Sequence, residues 1–129
     1  MIISIDPGSE KCGIAVLNTG GEILEKNILP RELFSTLLPF YLSKYGISTV
    51  VIGQGSFGRK LEKELLKLKL RANFVFISEK FSTLEARRRY WKENKPKGLL
   101  RFIPTSLLFP PAPIDDYAAV ILGERYLKG

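Results

Sequence analysis

The stretch Ile2-Ile3-Ser4-Ile5-Asp6-Pro7-Gly8 decides how the rest of the chain is read. Its β-branched residues predict a short strand over 1–6, and Pro7-Gly8 turns the chain straight afterwards. Residues 13–17 predict a second apolar strand. Thr19-Gly20-Gly21 makes a hairpin turn, and residues 22–28 predict a third strand. Two tight turns in succession make these three strands an antiparallel meander.

Beyond the meander the pattern changes period. Pro30 suits the first position of a helix, and Leu33, Phe34, Leu37, Leu38, Tyr41, Leu42 and Tyr45 keep helical spacing until Gly46. Pro39 lies inside that pattern and predicts a kink or a break. Residues 48–53 form a continuous apolar strand. Residues 59–70 form an amphipathic helix with Leu61, Leu65 and Leu68 inward, and residues 73–77 a buried fifth strand. Ser82-Thr83-Leu84-Glu85 has the form of a capping box opening a helix to about residue 93. Residues 96–113 mix five prolines and a glycine with seven large apolar residues, which predicts an ordered loop over the body with one short helical turn. A last helix covers 114–128. The order βββαβαβα, with right-handed crossovers, predicts an α/β domain over 1–129. Its mixed five-stranded sheet has the order 3-2-1-4-5, with helices on both faces.

The chain has only three aspartates. Asp6 closes the first strand, and Asp115 and Asp116 open the last helix. The predicted topology places Asp6 on the central strand and Glu79 just past the fifth strand, on the same sheet edge if strands one, four and five are parallel. The last helix can bring Asp115 or Asp116 there too. Carboxylates that close resist joint ionisation unless cations are present, and two Mg²⁺ ions about 3.5–4 Å apart would meet that need and clamp a phosphodiester for attack by water. Glu79, after a buried strand and before Ser82, has no ordinary local use, but the other acids do. Asp before Pro-Gly often leaves a strand, one of Asp115 and Asp116 suits a helix cap, and Glu85 suits the return partner of its capping box.

Composition narrows the chemistry. There is no histidine and a single cysteine, Cys12, so a Ser-His or Cys-His machine, a histidine zinc site and an internal disulfide are excluded. Oxygen-ligated Mg²⁺ or Mn²⁺ remains. The net charge of +7 favours a polyanionic partner. Arg87-Arg88-Arg89 concentrates that charge on one predicted helix, with Lys92, Lys95 and Lys97 beyond. No apolar run approaches the ~20 residues of a membrane span, so the expectation is a soluble cytoplasmic protein with no membrane partner.

Four blocks then carry a resemblance. They are Ile5-Asp6-Pro7-Gly8 with Gly13-Ile14-Ala15-Val16; Val51-Ile52-Gly53; Glu79-Lys80-Phe81-Ser82-Thr83-Leu84-Glu85-Ala86-Arg87; and Ile114-Asp115 with Ala119-Val120-Ile121-Leu122. In this order, over nearly the whole chain, they resemble the YqgF (RuvX) family of Holliday junction resolvase-like and pre-16S rRNA nucleases, in the RNase H-like superfamily. The resemblance implies an RNase H-like fold and an Mg²⁺- or Mn²⁺-dependent endonuclease. It also implies that Asp6, Glu79 and Asp115 are catalytic metal ligands, with Asp116 as a rival for the third place. Lys80, Arg87, Arg88 and Lys92 become candidates for phosphate contacts on branched DNA or precursor rRNA. Cutting a junction would call for a symmetric homodimer, while trimming RNA would not. The chain departs from the pattern at Gln54-Gly55-Ser56-Phe57-Gly58, where no acid follows the fourth strand. Two other functions stay open: a non-catalytic nucleic-acid-binding domain, and one lobe of an actin-like phosphate-transfer protein.

Overall fold

The computed structural model describes residues 1–104, 108 and 110–129. Strands β1 (Ile2–Asp6), β2 (Lys11–Leu17) and β3 (Ile23–Pro30) are followed by α1 (Arg31–Tyr45), β4 (Thr49–Gln54) and α2 (Ser56–Leu66). Then come β5 (Asn73–Ser78), α3 (Ser82–Glu93), a 3-10 turn (Gly98–Phe102) and α4 (Asp115–Lys128). The sheet order is β3-β2-β1-β4-β5, as expected. β1–β2 and β2–β3 are antiparallel, whereas β1–β4 and β4–β5 are parallel. The meander closes at Asn18, whose Oδ1 accepts from the backbone of Gly20 and Glu22, with Gly21 at φ 83°.

Strand alternation divides the core in two. Ile3, Ile5, Val50 and Ile52 meet Phe34 and Leu38 of α1 and Leu61 and Leu65 of α2 on one face. Ile2 and Val51 meet Ala119 and Val120 of α4 on the other. Asp6 is in step with Ile2 and Ser4, so it belongs to the α4 face. Ser4 is fully buried there, and its hydroxyl donates to the Ala119 carbonyl at 2.5 Å, fixing α4 on the central strand. α3 lies against α4, with Ala86 and half-buried Tyr90 packed on Tyr117, Ala118 and Ile121. Trp91 is also buried and meets Tyr90 edge to face.

Several local expectations are corrected. α1 does not break at Pro39. The proline removes one N–H, and the burial of Phe34 and Leu38 holds the helix together across the gap. α2 begins earlier than expected and ends at Leu66, so Leu68 falls past the helix and is 40% exposed. β5 is an edge strand and half-buried, because only β4 flanks it. The capping box does not form. Phe81, in the left-handed region at φ 63°, precedes the helix, Ser82 is its first residue, and Glu85 turns to Arg125 instead. Neither Asp115 nor Asp116 caps α4. Ile114 occupies that position, and both acids lie in the first turn, where the helix dipole favours negative charge.

In the 96–113 region the short helical turn is present, and Trp91 Nε1 donates to the Leu108 carbonyl at 3.4 Å. Leu99 and Phe102, however, are 83% and 71% exposed, so this part of the loop faces outward rather than over the body. Leu107 and Phe109, two of the apolar residues that prompted the reading, lie outside the described residues. Among the described residues, no helix is long and apolar enough to cross a membrane.

Candidate active site

The parallel strands β1, β4 and β5 end at one edge of the sheet, and the candidate site is built on that edge. β1 delivers Asp6. Ser78, the last residue of β5, is level with Gln54 of β4, so Glu79 leaves the sheet one step beyond it. Its side chain folds back across Gly53 and Gly55. A Cβ on Gly53 would collide with the Glu79 carboxylate, and one on Gly55 would press against its Oε2. Two missing side chains thus make the channel through which Glu79 reaches Asp6.

The same device admits Asp115. Asp6 pairs with Gly13 in the β1–β2 ladder, and a Cβ on Gly13 would collide with the Asp115 backbone carbonyl. The first turn of α4 therefore rests directly on the strand beside Asp6. Its position follows from a glycine in β2 and from the Ser4–Ala119 hydrogen bond one helical turn further on.

Asp6 and Glu79 are hydrogen-bonded through their carboxyl groups. Burial, then the nearby charges of Glu79 and Asp115, push the Asp6 pKa from 3.8 up to about 7. Burial also raises Glu79, partly offset by its hydrogen bond from Asp6. Two carboxyls in contact share a proton up to about neutral pH, because joint ionisation is costly where water is partly excluded. Among the described residues, neither Asp6 nor Glu79 has an ion-pair partner.

The third acid is nearby but engaged. Asp115 acts electrostatically on Asp6, while its own carboxylate is drawn to Lys11 Nζ at 3.5 Å. As placed, no three acidic side chains among the described residues converge into a ready-made metal cage. The donor set nonetheless fits a hard divalent cation. It is all oxygen, it comes from rigid strand and helix ends, and two of its members already compete for one positive charge. Asp115 is a third of the way exposed, so it is free to exchange Lys11 for a stronger cation.

Asp116 is placed elsewhere. Its Oδ2 accepts from Lys26 Nζ of β3 at 2.9 Å, and its side chain is only 14% exposed. Its other oxygen accepts from the Tyr117 backbone, and Lys26 lies 4.2 Å from the centre of the Tyr117 ring. Of the four acids predicted as ligands, the structure brings together Asp6 and Glu79, sets Asp115 beside them, and turns Asp116 toward β3.

The predicted phosphate-contacting residues follow directly from Glu79. Lys80 is exposed next to it. On α3, Arg88 and Lys92 are exposed and Arg87 is half-buried. Arg89, in the same basic run, is committed to α4 through Glu124 at 2.8 Å. Sequence reasoning missed the spacing role of Gly53 and Gly55, the counter-charges Lys11 and Lys26, and Arg125. Only the glycines carried a local signal, as interruptions at the ends of apolar strands. In comparisons with known proteins, no family model and no curated protein matches the chain.

Proposed function

We propose that this chain is an RNase H-like, YqgF-type cytoplasmic endonuclease that hydrolyses phosphodiester bonds in structured nucleic acid, using Mg²⁺ or Mn²⁺ held by Asp6, Glu79 and Asp115. The observation that carries the proposal is the half-buried Asp6–Glu79 carboxyl pair at the shared end of β1 and β5, without an ion-pair partner among the described residues. A fold that only needed a turn there would not retain two half-buried acids in contact inside a chain of net charge +7.

A divalent cation bound there supplies Lewis-acid stabilisation of the charge that develops on phosphoryl oxygens during attack by water. The chain's own residues do the rest. Asp6, Glu79 and Asp115 would hold that cation, Asp6 and Glu79 without their shared proton and Asp115 turned from Lys11. The Lys11 ammonium, no longer paired with Asp115, would then be available to a phosphate next to the acids. Lys80, Arg87, Arg88 and Lys92 hold flanking phosphates along α3, and so set the direction in which the strand crosses the acids.

The test is a substrate panel of four-way DNA junction, linear duplex and precursor rRNA, incubated with wild-type protein and Asp6→Asn in Mn²⁺, Mg²⁺ or EDTA. Cleavage that requires metal and Asp6 is the expected result, and the preferred substrate separates junction resolution from rRNA processing. Cleavage that survives EDTA, or an Asp6→Asn protein cutting at the wild-type rate, would sink the proposal. Binding without any cleavage would assign the chain to non-catalytic nucleic-acid binding.

A further inference from the structure

Glu79 lies outside any strand, yet its carboxylate must meet Asp6 within a hydrogen bond's tolerance. On its C-terminal side the backbone is held by the Ser82 N–H, which donates to the Glu79 carbonyl at 2.9 Å. On its N-terminal side stands Ser78, the last residue of an edge strand, where carbonyls turned away from β4 find no ladder partner. Arg125 of α4 fills that role. Its Nη1 donates to the Ser78 carbonyl at 2.7 Å, and its Nη2 donates to Glu85 Oε1 of α3 at 3.0 Å.

One guanidinium thus ties three elements around Glu79: the strand that ends before it, the helix that starts after it, and the helix whose first turn carries Asp115. The planar fork is the reason an arginine can do this. Two parallel donors fix an angle as well as a distance, which a lysine ammonium cannot.

We propose that Arg125 is a positioning residue for the acidic site, setting the end of β5 so that Glu79 faces Asp6 and can share a divalent cation with it. The inference rests on the metal-site reading above and adds to it a residue that touches neither cation nor substrate. Outer-shell partners of metal ligands commonly change affinity by about tenfold or more when removed.

The experiment is a Mn²⁺ titration of the full chain followed by electron paramagnetic resonance, on wild type, R125M, R125K, E79Q and the double variant E79Q/R125M. R125M is expected to weaken Mn²⁺ about tenfold. R125K, which keeps one donor for Ser78, should recover part of the loss. In the E79Q background, removing Arg125 should cost almost nothing more, because its effect passes through Glu79. Thermal melting of each variant in EDTA shows that the folded protein is being compared. Should R125M fail to fold, E85Q carries the test by freeing one arm of the fork, with a measurable loss of Mn²⁺ affinity expected.

Equal Mn²⁺ affinity in wild type and R125M (or E85Q, if R125M does not fold) would overturn the role of Arg125 while leaving the metal site intact. An equal loss with and without Glu79 would overturn it too, by showing a general structural effect. Wild type that takes up no Mn²⁺ would overturn the metal site, and this inference with it.

Discussion

Replacing Asp6 by asparagine separates a catalytic carboxyl from a turn residue, and the structure gives the size of the effect. Asp6 moves from 3.8 to about 7 on folding, chiefly through burial and then through the charges of Glu79 and Asp115. For an acid shifted upward, the folded state holds its proton longer than the unfolded chain. Below pH 3.8 both states are protonated and the group has no effect. Between pH 3.8 and about 7 only the unfolded chain ionises, so stability falls by about 1.4 kcal/mol per pH unit. Above about pH 7 the loss levels off at about 4 kcal/mol. The amide fills the same space and still donates toward Glu79, but has no proton to lose. Metal-free Asp6→Asn should therefore match wild type at about pH 4 and exceed it at about pH 8 by about 2–4 kcal/mol, or roughly 6–12 °C in Tm. Calorimetry across that pH range in EDTA reads this directly. Saturating Mn²⁺ at the alkaline end should raise the wild-type Tm and leave the variant unmoved, while cleavage disappears and nucleic-acid binding stays. Wild-type and variant stability curves that run parallel across the whole range would refute the reasoning, because the carboxyl pair would then carry no ionisation penalty.

Asp115→Asn and Asp116→Asn should part company. The first weakens Mn²⁺ binding, whereas the second leaves Mn²⁺ affinity and cleavage intact but costs about 1 kcal/mol of stability in urea unfolding by breaking the pair with Lys26. Gly53→Ala should displace Glu79 and abolish metal binding in a protein that still folds, checked by circular dichroism beside the Mn²⁺ titration. Gly13→Ala should destabilise by about 1–3 kcal/mol, because the new methyl meets the Asp115 backbone rather than a movable side chain; an unchanged urea midpoint would contradict that packing. Neutralising Arg87, Arg88 and Lys92 together should flatten the slope of log affinity against log salt by roughly one unit for each phosphate that is no longer neutralised. An unchanged slope would mean that this face of α3 is only solvated.

Where sequence reading failed locally, a tertiary interaction had overridden it. Ser82-Thr83-Leu84-Glu85 is a sound capping box in isolation, but Glu85 gains more from the Arg125 guanidinium, and Ser82 is buried within the first turn of its helix. Leu68 keeps helical spacing with Leu61 and Leu65, but α2 ends before it. Asp115 and Asp116 are equivalent as letters. One residue of helical rotation sends the first toward Asp6 and the second to Lys26.

The sheet order, the helices α1, α2, α3 and α4, the absence of histidine chemistry and the pair of strand-end acids are legible in the chain before it folds. They follow from short-range rules: strand alternation, helical spacing, turn residues, and crossovers of one hand. Folding adds that Asp6 and Glu79 come into hydrogen-bond contact, that Asp116 is taken up by Lys26, and that Arg125 holds the end of β5. Those depend on which side chains meet across an edge between residues tens of positions apart, and on glycines whose missing atoms leave the room to do so. No local pattern encodes a meeting of that kind, because its geometry exists only once α4 has settled on the sheet.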